Sequence, residues 1–498
     1  MNTNLAKVST AVNVGYDGIE ITVECNITKG LPAFSIVGLA DKAVGESRER
    51  VRAAITNSGF TFPAKHITIN LSPANLQKEG SHLDLPIAIS ILVASGQILQ
   101  RSLENIMIAG ELSLNGELQP VSSALSITEC ARKNNYHTII LPNENTSQAA
   151  LLDDINVVGI TSLTEVVLHL IGEKVVSPAI KTVVENTNKH AISIDDVRGQ
   201  EFAKRALIIA AAGHHNLLLT GSPGAGKTML SRTLPGLLPP LTSDEIFDVT
   251  KIHSLANETN DVVTSRPFRA PHHTASFVAL IGGGARVKPG EISLAHNGVL
   301  FLDEIPEFSR TSLEALRQPL EDCAVSISRA NGKVTFPANF MLVATQNPCP
   351  CGYYGDEKRE CTCSQMAILN YQQKLSGPLL DRIDMIVPVA RVERNKLFND
   401  SKEAPRADEW KRQIATARQA QISRQKKPNS SLTNKQLEKF AKLDHDTKNF
   451  LSTAAEKLNL SARSYFRILR MARTIADLAA RENIVQADIA EALQYRGK

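Results

Sequence analysis

The stretch Gly221-Ser222-Pro223-Gly224-Ala225-Gly226-Lys227-Thr228 reads G-x-x-x-x-G-K-T, a complete phosphate loop. An apolar run, Leu217-Leu218-Leu219-Thr220, leads into it and Met229-Leu230-Ser231-Arg232 leads out, which predicts a buried strand turning into a helix. There the glycines let successive backbone N–H groups point at phosphates, and the helix start adds the positive end of its dipole. Lys227 is expected to reach the β- and γ-phosphates and the Thr228 hydroxyl to ligate Mg2+, so the expected ligand is a nucleoside triphosphate. The competing reading, a glycine-rich turn that matches by accident, leaves the flanking strand and helix unexplained.

Downstream, Gly298-Val299-Leu300-Phe301-Leu302-Asp303-Glu304 is an apolar strand ending in two acids, as a Walker B element requires. Asp303 is expected to hold Mg2+ through water and Glu304 to polarise the attacking water. Phe340-Met341-Leu342-Val343-Ala344-Thr345-Gln346-Asn347-Pro348 is a second such strand, ending in amides. Asn347 either orients the lytic water or merely caps a turn. In Leu379-Leu380-Asp381-Arg382-Ile383-Asp384 an arginine stands between two carboxylates. Arg382 is therefore an intrachain ion-pair partner or a finger for a neighbour's γ-phosphate.

The chain has 498 residues, enough for two to four domains, with 43% hydrophobic and 21% charged side chains, an ordinary globular balance. A net charge of +4 is too small to mark a polyanion binder, so any nucleic-acid surface must be local. The longest apolar run, Leu85 to Gly96, falls short of the ~20 residues of a spanning helix, and no signal-peptide pattern appears at the start. The expectation is a cytoplasmic protein that does not engage membrane. Of 7 cysteines, Cys349, Cys351, Cys361 and Cys363 form a C-x-C-x9-C-x-C cluster. In a reducing compartment four clustered thiols point to metal, with structural Zn2+ the expected occupant; the alternative is four reduced cysteines in a surface loop.

Residues 1–172 read as a mixed α/β domain. Ile19 to Val23 and His66 to Leu71 are predicted strands, and Lys42 to Asn57 and Leu85 to Gly96 predicted helices. Apolar periodicity fades over 173–192, the expected linker. Residues 193–392 carry the phosphate loop and further apolar strands, the pattern of an α/β domain with a largely parallel sheet, and 393–498 read as helical. Within the helical part Lys411, Arg412, Arg418, Arg424, Lys426 and Lys427 have no acid among them, which fits a solvated face or a nucleic-acid surface. Between the Asp303 and Asn347 strands, apolar alternation around Asn331-Gly332 predicts a hairpin presenting Arg329 and Lys333. Ala279 to Gly290 is a glycine-rich insertion that also carries cations, among them Arg286 and Lys288.

Walker A, Walker B, Asn347, Arg382 and a helical carboxyl-terminal unit together resemble an AAA+ ATPase, that is, an α/β P-loop core with a helical lid. The stretch Arg266-Pro267-Phe268-Arg269-Ala270-Pro271-His272-His273 narrows the resemblance to the magnesium-chelatase-like ComM/YifB family, over essentially the whole chain. That resemblance implies a homo-hexameric ring, with Arg382 acting in trans and Arg463 as the sensor 2 arginine of the lid. It also implies a DNA motor or helicase driving branch migration during natural transformation, with single-stranded or branched DNA and recombination proteins as partners. The hairpin would line the pore, Arg329 and Lys333 touching the DNA backbone, or else be a solvated turn. The glycine-rich insertion would be a second pore loop. Lys78 to Pro86 and Ala109 to Val121 resemble an α+β Lon-protease-like domain of the ribosomal S5 domain 2 type. His82 stands where its serine belongs and Leu125 where its lysine would be, so the Ser–Lys dyad is missing. A chelatase subunit and a protein unfoldase are the alternatives.

Overall fold

Strict alternation along the Asp17–Thr28 strand turns Ile21, Val23, Cys25 and Ile27 to one buried side. That strand is third in a seven-stranded sheet, in the order Ala33–Val37, His66–Ser72, Asp17–Thr28, Leu5–Val14, Ile106–Ile108, Thr138–Pro142, Asn156–Ile160. Its pairings with Leu5–Val14 and His66–Ser72 are antiparallel and the rest are parallel. The helix Asp84–Ala94, apolar apart from Asp84 and Ser90, is buried from Asp84 to Val93. The Asp84 carboxylate is kept inside by Arg50 at 2.7 Å and by the Ser47 hydroxyl. Lys42–Asn57 is the other expected helix of this region.

The computed structural model describes residues 5–39, 41–78, 80–182, 192–284, 287–329, 332–356, 358–392 and 406–496. Two units emerge: Met1–Glu185 with Ser243–Val263 and Ser328–Phe336, and Asn186–Thr242 with Thr264–Ile327 and Pro337–Lys498. Residues 183–191 of the expected linker and residues 393–405 lie outside the described residues. The helix Ser243–Leu255 falls within the first unit because its polar side chains are met there. The Lys251 ammonium is fully buried 2.5 Å from Glu129, and Tyr16 donates to Asp248 at 2.6 Å.

The second unit is built on a five-stranded sheet, all parallel, in the order Phe268–Arg269, Val299–Leu302, Met341–Gln346, Leu217–Thr220, Met385–Pro388. Successive side chains serve opposite cores. Leu217, Leu219, Val299, Phe301 and Val343 join the carboxyl-terminal helices through Trp410, Ile414, Leu469 and Ile475, while Leu218, Leu300, Leu302 and Leu342 meet Leu280, Ile292 and Leu313. Both faces are covered, so all but the edge strand Phe268–Arg269 are apolar along most of their length rather than alternating. The helices Ala407–Gln425, Asn434–Ala441, His445–Lys457, Ala462–Leu478 and Gln486–Gln494 complete the unit.

Candidate nucleotide site and cysteine cluster

The phosphate loop connects Leu217–Thr220 to the helix Lys227–Thr233, at the carboxyl end of the sheet where open α/β folds bind ligands. Gly226 caps the helix at φ 91°, a backbone that a side chain would strain. Lys227 Nζ donates to Gly221 O at 2.6 Å, Ser222 O at 3.1 Å and Asn347 Oδ1 at 3.0 Å. Burial lowers its pKa, opposed by Asp303 and Glu304, which favour the charged form.

Asp303 and Glu304 leave the end of Val299–Leu302 side by side with the loop. Thr228 donates to Asp303 Oδ2 at 3.2 Å, and hydroxyl plus carboxylate is a donor pair that suits a hard divalent cation. Asn347 donates through Nδ2 to Glu304 Oε1 at 3.2 Å, so Lys227, Asn347 and Glu304 form one connected row. Thr345, in the Met341–Gln346 strand, was not singled out from sequence. Its hydroxyl donates to Asp303 Oδ1 at 2.5 Å and accepts from the Glu304 N–H at 2.9 Å, tying both acids to one strand. Glu304 itself sits in the left-handed region at φ 49°. Gln200 and Arg391, equally unforeseen, brace the loop by donating to Ala225 O at 3.2 Å and Pro223 O at 3.1 Å.

Arg382 and Arg463 lie together and away from this row. Both line a cavity of about 650 Å3 with Arg467, Arg470, Glu321 and Asp384, and neither Lys227 nor Thr228 is on its wall. Arg382 pairs with Glu321, and Arg463 donates to Asp381 Oδ2 at 3.1 Å. The helix Ala462–Leu478 thus delivers Arg463 beside Arg382.

The sulfurs of Cys349, Cys351, Cys361 and Cys363 all lie within 4.8 Å of one another. Cys349–Cys351, Cys349–Cys361 and Cys351–Cys361 are separated by 3.3, 3.6 and 3.5 Å, far beyond a disulfide bond. A tetrahedron of thiolates at about 2.3 Å from a central zinc has edges of about 3.8 Å, so this donor set fits Zn2+. Two backbone N–H groups point at sulfur, Cys351 N to Cys363 Sγ at 3.4 Å and Tyr354 N to Cys349 Sγ at 3.3 Å, as outer-shell donors do around bound thiolates.

The family model described as magnesium chelatase, subunit ChlI, matches residues 193–397. Those for subunit ChlI of Mg-chelatase and its C-terminal part match 23–145 and 405–496. Competence protein ComM of Haemophilus influenzae is 44% identical over 500 residues, covering 99% of this chain and 97% of the relative. YifB of Salmonella typhimurium is 42% identical over 498 residues, at 99% and 97% coverage. The chain belongs to the ComM/YifB family. Similarity to the magnesium-chelatase 67 kDa subunit of Heliobacterium mobile is more distant, 26% over 240 residues, or 42% of this chain and 35% of that one. ComM/YifB membership agrees with the α/β AAA+ core and the helical region after it.

The remaining expectations fall unevenly on this ComM/YifB chain. Ala324–Arg329 and Gly332–Pro337 pair as the anticipated hairpin, and Lys333 is exposed. The Arg329 side chain, Ala330 and Asn331 lie outside the described residues, as does Arg286 of the glycine-rich insertion. Two of the six basic side chains read as an open surface turn inward instead. Arg424 grips Asp477 with two bonds of 2.8 Å, and Arg418 donates to Ala211 O at 2.8 Å. His82 is buried with Nε2 3.0 Å from Ala11 O, burial lowering its pKa to about 4. Ser81 hydrogen-bonds Glu111, and Leu125 is buried. Among the described residues no helix is long and apolar enough to cross a membrane.

Proposed function

We propose that this chain is a Mg2+-dependent AAA+ ATPase that assembles as a homo-hexamer and drives branch migration of recombination intermediates during natural transformation. One observation carries the ATPase reading: Lys227, Asn347 and Glu304 are joined in a row beside the Thr228–Asp303 pair, at the carboxyl edge of a parallel sheet. Gly221, Ser222, Pro223, Gly224, Ala225 and Gly226 would wrap the phosphates while Lys227 neutralises them. Thr228 and Asp303 would hold Mg2+, which supplies charge neutralisation at the phosphates. Glu304 would take the proton of the attacking water, with Asn347 fixing the carboxylate through its Nδ2–H bond. Arg382 and Arg463, sharing one cavity, would together face a neighbour's γ-phosphate, a composite site that requires a ring.

The DNA half of the proposal rests on kinship with a competence protein and on the exposed Lys333 of the hairpin, with Arg329 as its partner on the DNA backbone. Residues 1–172 would be a Lon-type platform without peptidase activity, and the four cysteines would hold a structural Zn2+. The setting is cytoplasmic, with recombination proteins as partners. ATP turnover of the purified chain, alone and with single-stranded or branched DNA, tests the reading. Stimulation by DNA is expected, and turnover indifferent to DNA would sink the motor. The chelatase similarity favours a second reading, metal insertion into a porphyrin. Stimulation by porphyrin and its carrier protein but not by DNA would select it.

A further inference from the structure

Between Cys349 and Ser364 the described chain has no helix or strand, yet it packs against the phosphate loop. Gly352 lies at φ 85°, and a Cβ there would fall 2.5 Å from both Cγ and Cδ of Pro223. The same point is 3.9 Å from Cγ of Asn347. Asp356 is hydrogen-bonded by Ser222, the second residue of the phosphate loop. Arg391 spans both parts, its Nε 3.8 Å from Asp356 Oδ2 and its other arm donating to Pro223 O at 3.1 Å. It also lies over the Tyr353 ring, whose hydroxyl accepts from Arg359 at 2.9 Å. Asn347 is itself only two residues before the first thiol.

We propose that the four-thiolate site is a metal-dependent clamp on the nucleotide site: Zn2+ held by Cys349, Cys351, Cys361 and Cys363 fixes the loop that positions Pro223, Ser222 and Asn347, and so sets the affinity for ATP. A loop without secondary structure must lose conformational entropy to hold such contacts, and four metal–thiolate bonds meet that cost locally. Coupling of this kind is reciprocal, so nucleotide must tighten the hold on the metal by the same equilibrium factor by which the metal tightens nucleotide. The inference rests on the nucleotide reading of the phosphate loop.

The test uses the full-length chain, with zinc measured by elemental analysis, zinc release by a mercurial followed with a colorimetric chelator, and binding of a fluorescent ATP analogue. About one zinc per chain is expected. Its removal should weaken analogue binding about tenfold, reversed by adding Zn2+ back, and the analogue should slow zinc release. Asp356→Ala keeps all four thiols, so it should retain zinc and still bind the analogue several-fold more weakly. Equal affinity with and without zinc, or a chain grown with zinc that holds none, overturns the clamp. A zinc-loaded wild-type chain that binds no analogue contradicts the nucleotide reading and takes the clamp with it.

Discussion

Thr345 shows how a single hydroxyl can organise two acids that do different work. It holds the Asp303 carboxylate and accepts the Glu304 N–H, so Thr345→Val leaves that part-buried N–H without its partner, at about 1 kcal/mol, and lets Asp303 drift. Thr345→Val is expected to cut ATP turnover about tenfold and to raise the Mg2+ concentration needed for half-maximal activity, which a Mg2+ titration of turnover reads. Glu304→Gln should lower turnover at least about a hundredfold while the fluorescent analogue still binds. Lys227 and Thr228 were legible because a phosphate loop has a fixed spacing within one strand–loop–helix unit, and Asp303 and Glu304 because two acids close a separate apolar strand. Thr345 was not, since a threonine in an apolar strand reads as a strand former and its partners lie 41 and 42 residues away.

At the scale of elements, the basic stretch in Ala407–Gln425 was legible as a helix but not in its facing. Arg424 closes a buried network in which Asp477 Oδ1 lies 3.0 Å from Arg473, while Asp477 Oδ2 accepts from Asn429 at 2.8 Å. Removing that carboxylate leaves buried guanidinium groups uncompensated, so Asp477→Ala should cost about 3–5 kcal/mol in urea unfolding. Asp477 is 53 residues from Arg424, a separation at which no local pattern ties the two. Three of the five parallel strands, Leu217–Thr220, Val299–Leu302 and Met341–Gln346, were readable as apolar runs because both of their faces are covered. In contrast, the grouping of Ser243–Leu255 with the amino-terminal sheet depends on Lys251 and Asp248 meeting Glu129 and Tyr16, which no period within the helix announces.

For the molecule as a whole, the proposal of a composite site makes a mixing prediction. Arg382→Ala should lower turnover by about a thousandfold, the scale of an arginine acting on a transferring phosphoryl group. Mixed with Lys227→Ala it should regain activity, because mixed rings hold some interfaces with both residues intact; no recovery in a turnover assay of the mixture would place Arg382 in its own subunit's site. Stability should also fall in acid. Burial lowers the pKa of His214 to about 3 and of His296 to about 4, so between pH ~6.5 and 4 the unfolded chain takes up protons that the folded chain refuses. Each histidine should then cost about 2 kcal/mol at pH 5 relative to neutral pH, visible as a lower urea midpoint for the second unit. The family and the ATPase half of the account were legible in motifs, whereas the DNA half depends on kinship and on a hairpin whose tip carries few cations. The most direct measurement is extension of a three-strand branched DNA joint by the purified chain with ATP, beside Lys227→Ala. The account predicts ATP-dependent extension by the wild type and none by the variant; equal extension by both, or none by a wild type that hydrolyses ATP, would contradict it.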